Sequence, residues 1–280
     1  MLPVLLDLKF LKIHTFGVFL MLAFFWSTFL VWRNVRLTSY KEEDIFDGLF
    51  LSMAGGLFTG RLVYFIVNIK EFGMDVLKFV LINGYPGISI WGALGGAFLT
   101  LYIFFAARKI DFKEVVDYLI SPLFVALLLG KLGAFFSGSE IGAKTNFFIR
   151  LKFPGYEGAR HLTSLYEAIF FGLAAYASYR LLFEIRKDKY THGFLLAFFL
   201  WFFSFTYFIF DKIKMPTLYL QGHSFNGLVS GALLLTTSFW FLYYKRQSIS
   251  KFITKYGQEA ISKFRATTKR KAASRETKKS

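Results

Sequence analysis

Cysteine is absent from this 280-residue chain, which removes disulfides, thiolate metal ligands and a cysteine nucleophile from its own chemistry. The redox compartment is therefore unreadable from thiol usage. Histidine is nearly as scarce. The four, at positions 14, 161, 192 and 223, show no ligand spacing such as His-x-x-x-His, so neither a metal nor another cofactor is expected. No Gly-x-Ser-x-Gly elbow occurs, which argues against a hydrolase triad. No internal repeat is visible, and mid-depth pairs of acids are missing, both of which count against a transporter or channel. Acids are also few: 18 Asp and Glu face 34 Lys and Arg, a formal charge of +16.

What is abundant is apolar surface. The chain is 55% hydrophobic and 21% aromatic, with 38 Phe, more than one water-soluble core would hide. Long runs with few charges match the ~20 residues that a helix needs to cross a hydrocarbon core about 30 Å thick. They lack period-two alternation, so a membrane barrel is excluded. The first run ends at Trp32-Arg33 without a small-residue cleavage motif and reads as a retained span. The pattern predicts an all-α, polytopic membrane protein with seven spans, near 13–32, 45–69, 86–107, 115–136, 163–183, 192–210 and 223–243.

Seven spans put the termini on opposite sides. Three short connections are basic, carrying Arg33, Arg36 and Lys41, then Arg108, Lys109 and Lys113, then Arg186, Lys187 and Lys189. By the positive-inside rule they are cytoplasmic, which places the amino terminus outside and the carboxyl terminus inside. Residues 1–244 form the membrane domain; residues 245–280 form a basic cytoplasmic tail, expected to be disordered toward its end. The tail suits anionic headgroups, at ~1 kcal/mol per basic residue near the surface, better than it suits a specific nucleic acid. Two non-cytoplasmic connections, 70–85 and 137–162, are long, and the second, with Gly138, Gly142, Pro154, Gly155 and Gly158, suits an irregular lid. Glycines recur four apart at Gly56 and Gly60, Gly92 and Gly96, and Gly227 and Gly231, a spacing that permits close helix packing.

With this orientation the intramembrane polar residues gather toward the outer side. Arg61 lies about two-thirds of the way out along span two, and Lys131 lies near the outer end of span four. His14, Glu167, His161, His223, Asp211 and Lys212 share that end. Facing lipid would cost a charge ~2.5–3.5 kcal/mol at mid-membrane, so these groups should line a hydrated chamber open to the outer leaflet. Two stripes support it, Arg61, Tyr64 and Asn68 on one helix face and His161, Ser164 and Glu167 at steps of three. Arg180 and Asp117, at cytoplasmic ends, are accounted for by snorkelling or a loop contact.

From Ile13 to about Leu242 these residues resemble the prolipoprotein diacylglyceryl transferases. The matching pieces are Ile13-His14-Thr15-Phe16-Gly17, Gly60-Arg61-Leu62-Val63-Tyr64, Trp91 to Gly96, and Gly130-Lys131-Leu132-Gly133-Ala134-Phe135, with Asp117 and Pro122 before and Gly138 and Gly142 beyond. The strongest is Arg160-His161-Leu162-Thr163-Ser164-Leu165-Tyr166-Glu167, similar to the family's His-Pro-Ser-x-Leu-Tyr-Glu signature. The resemblance implies transfer of the diacylglyceryl group of phosphatidylglycerol to the cysteine thiol of a lipoprotein signal peptide, at the outer leaflet of the bacterial cytoplasmic membrane. Its expected partners are therefore phospholipid, lipoprotein signal peptides and the membrane. It also implies Lys131, His161 and Glu167 as catalytic residues and Arg61, Tyr64, His14 and Tyr166 as substrate-binding ones.

The sequence departs from the family pattern in several places. Lys131 stands for an arginine and Ala134 for an asparagine; Trp91 replaces a histidine, and an indole cannot accept a proton. Span six lacks an expected arginine and acid, offering Asp211 and Lys212 only near its end. The acid after span four is displaced, with Ser139 at its position and Glu140 beside it. These changes support a second reading, a lipid-binding relative without the chemistry.

Overall fold

A computed structural model describes residues 2–8, 11–73, 75–81, 84–153, 155–215, 218–220 and 222–246. The predicted disorder of the tail falls outside these residues. Among the described residues, seven helices are long and apolar enough to cross a membrane: α1 (Thr15–Val35), α2 (Glu42–Val67), α5 (Ile90–Ala107), α6 (Phe112–Ser137), α7 (Thr163–Ile185), α8 (Phe194–Asp211) and α9 (Phe225–Tyr244). Two short helices, α3 (Ile69–Phe72) and α4 (Val76–Val80), lie in the connection between α2 and α5. Each predicted span coincides with one of the long helices.

Where the ends differ, local chemistry explains the shift. Helix α2 starts at Glu42, earlier than the apolar run, because Glu42, Glu43 and Asp44 suit the positive end of a helix dipole. Helix α5 starts later, at Ile90, where the Ser89 hydroxyl accepts from the Gly92 N–H at 3.3 Å. Asp111 caps α6 by accepting from Lys113 and Glu114, and Gly138, at φ 72°, ends it in a left-handed turn. Asp117, with no exposed surface, accepts from the Gly193 N–H at 2.7 Å and the Leu195 N–H at 3.0 Å, so it holds the start of α8.

Glycine sets the closest packing. Helices α2 and α5 run along each other through Gly56, Gly60, Gly92 and Gly96. A Cβ on Gly56 would come within 2.8 Å of the Ala93 carbonyl oxygen, and one on Gly96 would collide with the Thr59 side chain. That side chain in turn donates across the interface to the Gly92 carbonyl at 2.9 Å. Helix α1 packs along α6, and α6 along α7, whereas α1 and α2 touch only slightly. At the last pair, Gly227 fits against Asp211 and Gly231 against Phe208.

Among the described residues, three two-stranded antiparallel hairpins were not legible in the apolar pattern. They are β1 (Val4–Leu8) with β2 (Leu11–His14), β3 (Arg150–Lys152) with β4 (Ala159–His161), and β5 (Tyr219–Leu220) with β6 (His223–Ser224). Because successive spans alternate in direction, all three lie at the same end of the helices as the α2–α5 connection. Within the connection 137–162, β3 and β4 form a short hairpin, and most of the other described residues are irregular. Its base is tied to the end of α8, where the Ala143 N–H donates to the Ile213 carbonyl at 2.8 Å and Gly142 bridges to Lys214.

The chain divides into two units, Met1–Leu234 and Leu235–Ser280, with the boundary inside α9. The first holds the hairpins, eight of the helices and the start of α9. In the second, Trp240 stacks on Tyr244 at 5.1 Å and the Arg246 guanidinium lies 4.0 Å over the Tyr243 ring.

Candidate active site

Lys131 lies about one and a half turns from the end of α6 and is 9% exposed. A buried ammonium needs anions, and two reach it. Its Nζ lies 2.7 Å from both carboxylate oxygens of Glu140 and 2.9 Å from Oε2 of Glu167. Glu167, on the face of α7 that packs against α6, has no exposed surface, and its other oxygen pairs with Lys214. The Ser164 hydroxyl, one turn earlier on α7, donates to Glu140 at 3.1 Å. Tyr207 of α8 completes the group, with the Lys214 ammonium 4.2 Å above its ring and that of Lys131 at 5.9 Å.

The six residues arrive from five segments of the chain. Lys131 comes from α6, Glu140 from the connection beyond Gly138, Ser164 and Glu167 from α7, Tyr207 from α8 and Lys214 from the turn that follows it. Lys214 is fixed there because its N–H donates to the Phe210 carbonyl at 3.1 Å and its strand bridge meets Gly142. Two ammonium and two carboxylate groups make the cluster neutral. Loss of water around Glu140 works to raise its pKa, but Lys131 and then Lys214 outweigh it, so the carboxyl titrates below the ordinary glutamate value. Burial, reinforced by Lys131 alongside, holds the Lys214 ammonium below the ordinary lysine value despite Glu167 and Glu140.

The cluster closes one end of a cavity of about 660 Å³ between α1, α2, α5 and α6, with a contribution from Tyr207. This is within the range of ligand pockets, about 300–1,000 Å³. Lys131 and Glu140 are the charged residues that line it; the rest is mainly apolar, including Phe24, Val31, Phe50, Leu94, Phe98 and Leu119. From Lys131 to Leu119 the helix rises about 18 Å, more than half of a hydrocarbon core. Leu20, Phe24, Phe50 and Met53 line the cavity and are also exposed, so it opens toward the membrane side, between the helices α1 and α2 that barely touch.

Of the residues expected at a site, Lys131 and Glu167 are brought together. Arg61 is placed elsewhere. It is buried, and its guanidinium donates to the carbonyls of Phe79 at 2.9 Å, Gly87 at 2.8 Å and Lys78 at 2.6 Å, between the rings of Tyr64 and Phe72. The Arg61, Tyr64 and Asn68 stripe therefore organises the α2–α5 connection. Tyr64 packs on Gly87, which has a left-handed φ of 149°, and Asn68 donates to the Tyr64 carbonyl at 3.0 Å.

The second stripe divides. Ser164 and Glu167 face the cluster, but His161 belongs to β4, where the change from strand to helix turns it away from the helical face. Its ring lies 6.0 Å from Phe147 and 6.2 Å from Tyr166, and its buried Nδ1 has no hydrogen-bond partner among the described residues. The Tyr166 hydroxyl donates to the Ile149 carbonyl at 2.5 Å, pinning the β3–β4 hairpin to α7. His14 ends β2 opposite Val4 and is exposed. Lys214 and Tyr207 were not legible as site residues, since neither lies in a motif or at a spacing that relates it to Lys131.

The comparisons with known proteins agree with this architecture. The family model described as prolipoprotein diacylglyceryl transferase matches residues 3–244. The chain belongs to that family. It is 27% identical over 236 residues to the phosphatidylglycerol–prolipoprotein diacylglyceryl transferase of Ehrlichia ruminantium (strain Welgevonden), covering 83% of this chain and 90% of that protein. It is 29% identical over 181 residues to the protein of that name from Clostridium tetani (strain Massachusetts / E88), 62% of this chain and 71% of the other. Against that of Desulfotalea psychrophila (strain LSv54 / DSM 12343) it is 26% identical over 263 residues, 88% and 95%.

The substitutions within this diacylglyceryl transferase scaffold are mutually consistent. Trp91, in place of the family's histidine, packs edge-on against Phe203 at 5.2 Å and Tyr207 at 5.7 Å, and its indole nitrogen has no partner among the described residues. An imidazole at α5 is thus replaced by an apolar wall behind Tyr207. Glu140, displaced by one residue from the family's acid, still reaches Lys131. Asp211, the acid at the end of α8, accepts from the Ser224 hydroxyl at 2.6 Å and serves the α8–α9 turn.

Proposed function

We propose that the lysine and glutamate cluster at the end of the apolar cavity is the site of diacylglyceryl transfer from phosphatidylglycerol to a lipoprotein signal-peptide cysteine. The observation that carries this reading is the juxtaposition of a buried ammonium, Lys131, with a membrane-facing cavity of acyl-chain length. The cavity takes the apolar tails and the ammonium takes the phosphodiester. The site lies at the end of the bundle opposite the basic connections, which supports an outer-leaflet location, with the amino terminus outside and the carboxyl terminus in the cytoplasm.

The reaction forms a carbon–sulfur bond and breaks the bond between that carbon and a phosphate oxygen. Negative charge builds on the departing glycerol phosphate, and a fixed cation there lowers the barrier most. Lys131 supplies it as a point charge rather than an arginine's two-pronged fork. Glu167 is a positioning residue that holds the ammonium in place. The thiol, of pKa ~8.5 when free, must lose its proton, and His161, a family-matched residue whose buried Nδ1 has no hydrogen-bond partner among the described residues, is the candidate base. Arg61, Tyr64 and Tyr166 act on substrate through the connections they pin, and His14 lies on the amino-terminal hairpin at the start of α1.

The test is direct. Purified protein in phosphatidylglycerol vesicles is given a peptide with a lipobox cysteine, and mass analysis follows the thioether adduct. Adduct is expected from the wild-type chain, none from Lys131→Ala, and a normal amount from Lys109→Ala in the α5–α6 turn. Absence of adduct from the wild type, in vesicles where another family member succeeds, would leave the lipid-binding relative as the better reading.

A further inference from the structure

We propose that Lys214 is a second phosphate-binding group, and that Glu140 holds the phosphate's place beside the two ammonium groups until lipid arrives. The proposal rests on the transferase reading and assigns a further residue to it.

The geometry separates a fixed carboxylate from an exchangeable one. Glu167 is fully buried in α7 and bridges the two lysines, one oxygen to each, so it keeps their ammonium groups side by side. Glu140 sits beyond the left-handed turn at Gly138, with 42% of its side chain open, and is held by Lys131 and the Ser164 hydroxyl. Its two oxygens are both 2.7 Å from the Lys131 ammonium, the arrangement that two phosphate oxygens would adopt. It also lines the cavity at the end where a headgroup would stop.

Charge gives the second argument. Before reaction the lipid phosphodiester carries one negative charge and the thiol is neutral. As sulfur bonds to carbon, the carbon–oxygen electron pair passes to the phosphate oxygen and the thiol proton passes to a base, so the departing glycerol phosphate gains a second negative charge. With Glu140 in place the cluster is neutral and offers nothing to that charge. With Glu140 displaced, Lys131 and Lys214 against Glu167 leave one net positive charge, and a second ammonium stands next to the first. Lys131 alone, paired with Glu167, would leave the departing group without a surplus cation. The Lys214 ammonium is poised for this because, beyond Glu167, its support among the described residues is the Tyr207 ring, at 4.2 Å, a contact that leaves donor positions free.

The experiment compares wild type, Lys214→Met, Lys214→Arg and Glu140→Gln, each checked for unfolding temperature. The readouts are adduct formation in phosphatidylglycerol vesicles and the inhibition constant for glycerol phosphate. Lys214→Met should lower kcat/KM roughly 100-fold and weaken inhibition by glycerol phosphate. Lys214→Arg should restore both, because the charge returns. Glu140→Gln should do the opposite to inhibition, strengthening it severalfold, because the internal competitor is gone; a merely structural Glu140 would not produce tighter binding. Wild-type inhibition in Lys214→Met, or no tightening in Glu140→Gln, overturns the proposal. If Lys214→Met fails to fold, Lys214→Arg and Glu140→Gln decide it. A wild-type chain that binds glycerol phosphate in this pattern but makes no adduct would sink the transferase reading and leave the phosphate site standing.

Discussion

Glu167, with no exposed surface, lies 2.9 Å from the Lys131 ammonium across the interface of α6 and α7. A charge in that position is tolerated because its partner is fixed on the neighbouring helix, and removing either one leaves the other buried with one partner fewer, Glu140 for Lys131 or Lys214 for Glu167.

Glu167→Gln should therefore destabilise the protein by about 3–5 kcal/mol, because Lys131 and Lys214 would then face each other with only Glu140 between them. Unfolding in mixed micelles measures it. A variant as stable as wild type would mean that water or lipid already compensates the lysines.

Lys131→Arg is expected to keep adduct formation, since the cavity beside it has room for a guanidinium and the charge is preserved. Lys131→Ala should abolish product. Equal activities in the two variants, read by adduct mass, would remove Lys131 from the chemistry.

Arg61→Ala should act on the α2–α5 connection. Three carbonyls, those of Lys78, Phe79 and Gly87, lose their donor at once, so amide exchange across α4 should accelerate while inhibition by glycerol phosphate stays as in wild type. A large loss of glycerol phosphate binding would instead place Arg61 at the phosphate.

Glycerol phosphate inhibition should weaken as pH rises, with a midpoint below the ordinary lysine value of about 10.4. The sign follows from Lys214: its pKa is depressed, so the ammonium is present below that value and is lost as pH climbs through it. The groups facing it are Lys131 from α6, Glu140, Glu167 from α7 and Tyr207 from α8. Lys214→Arg should move the weakening to higher pH, because a guanidinium stays protonated. An unchanged profile would assign the titration to another group.

Gly96→Ala should loosen α2 from α5 by about 1–3 kcal/mol, because the new methyl group meets the Thr59 side chain. Gly95→Ala, whose Cβ would meet nothing within 4 Å, should be neutral and serves as the comparison.

The sequence by itself determined the solvent and the scaffold. Runs of about 20 apolar residues, the glycine pairs at Gly56, Gly60, Gly92 and Gly96, and the basic connections are one-dimensional signals, and each has a local physical cause. Lys131 and Glu167 were also legible, because an ionisable residue inside an apolar helix stands out against its neighbours. What only the tertiary structure decided is which charges meet. Arg61 and Lys131 each lie six positions before the end of a long apolar helix, yet one reaches for loop carbonyls and the other for carboxylates. Lys214 lies 83 positions from Lys131 and joins it only because the turn after α8 is bridged to the segment at Gly142. Spacing along a helix predicts neighbours on that helix, whereas an ion pair between helices depends on their packing and on the turns at their ends.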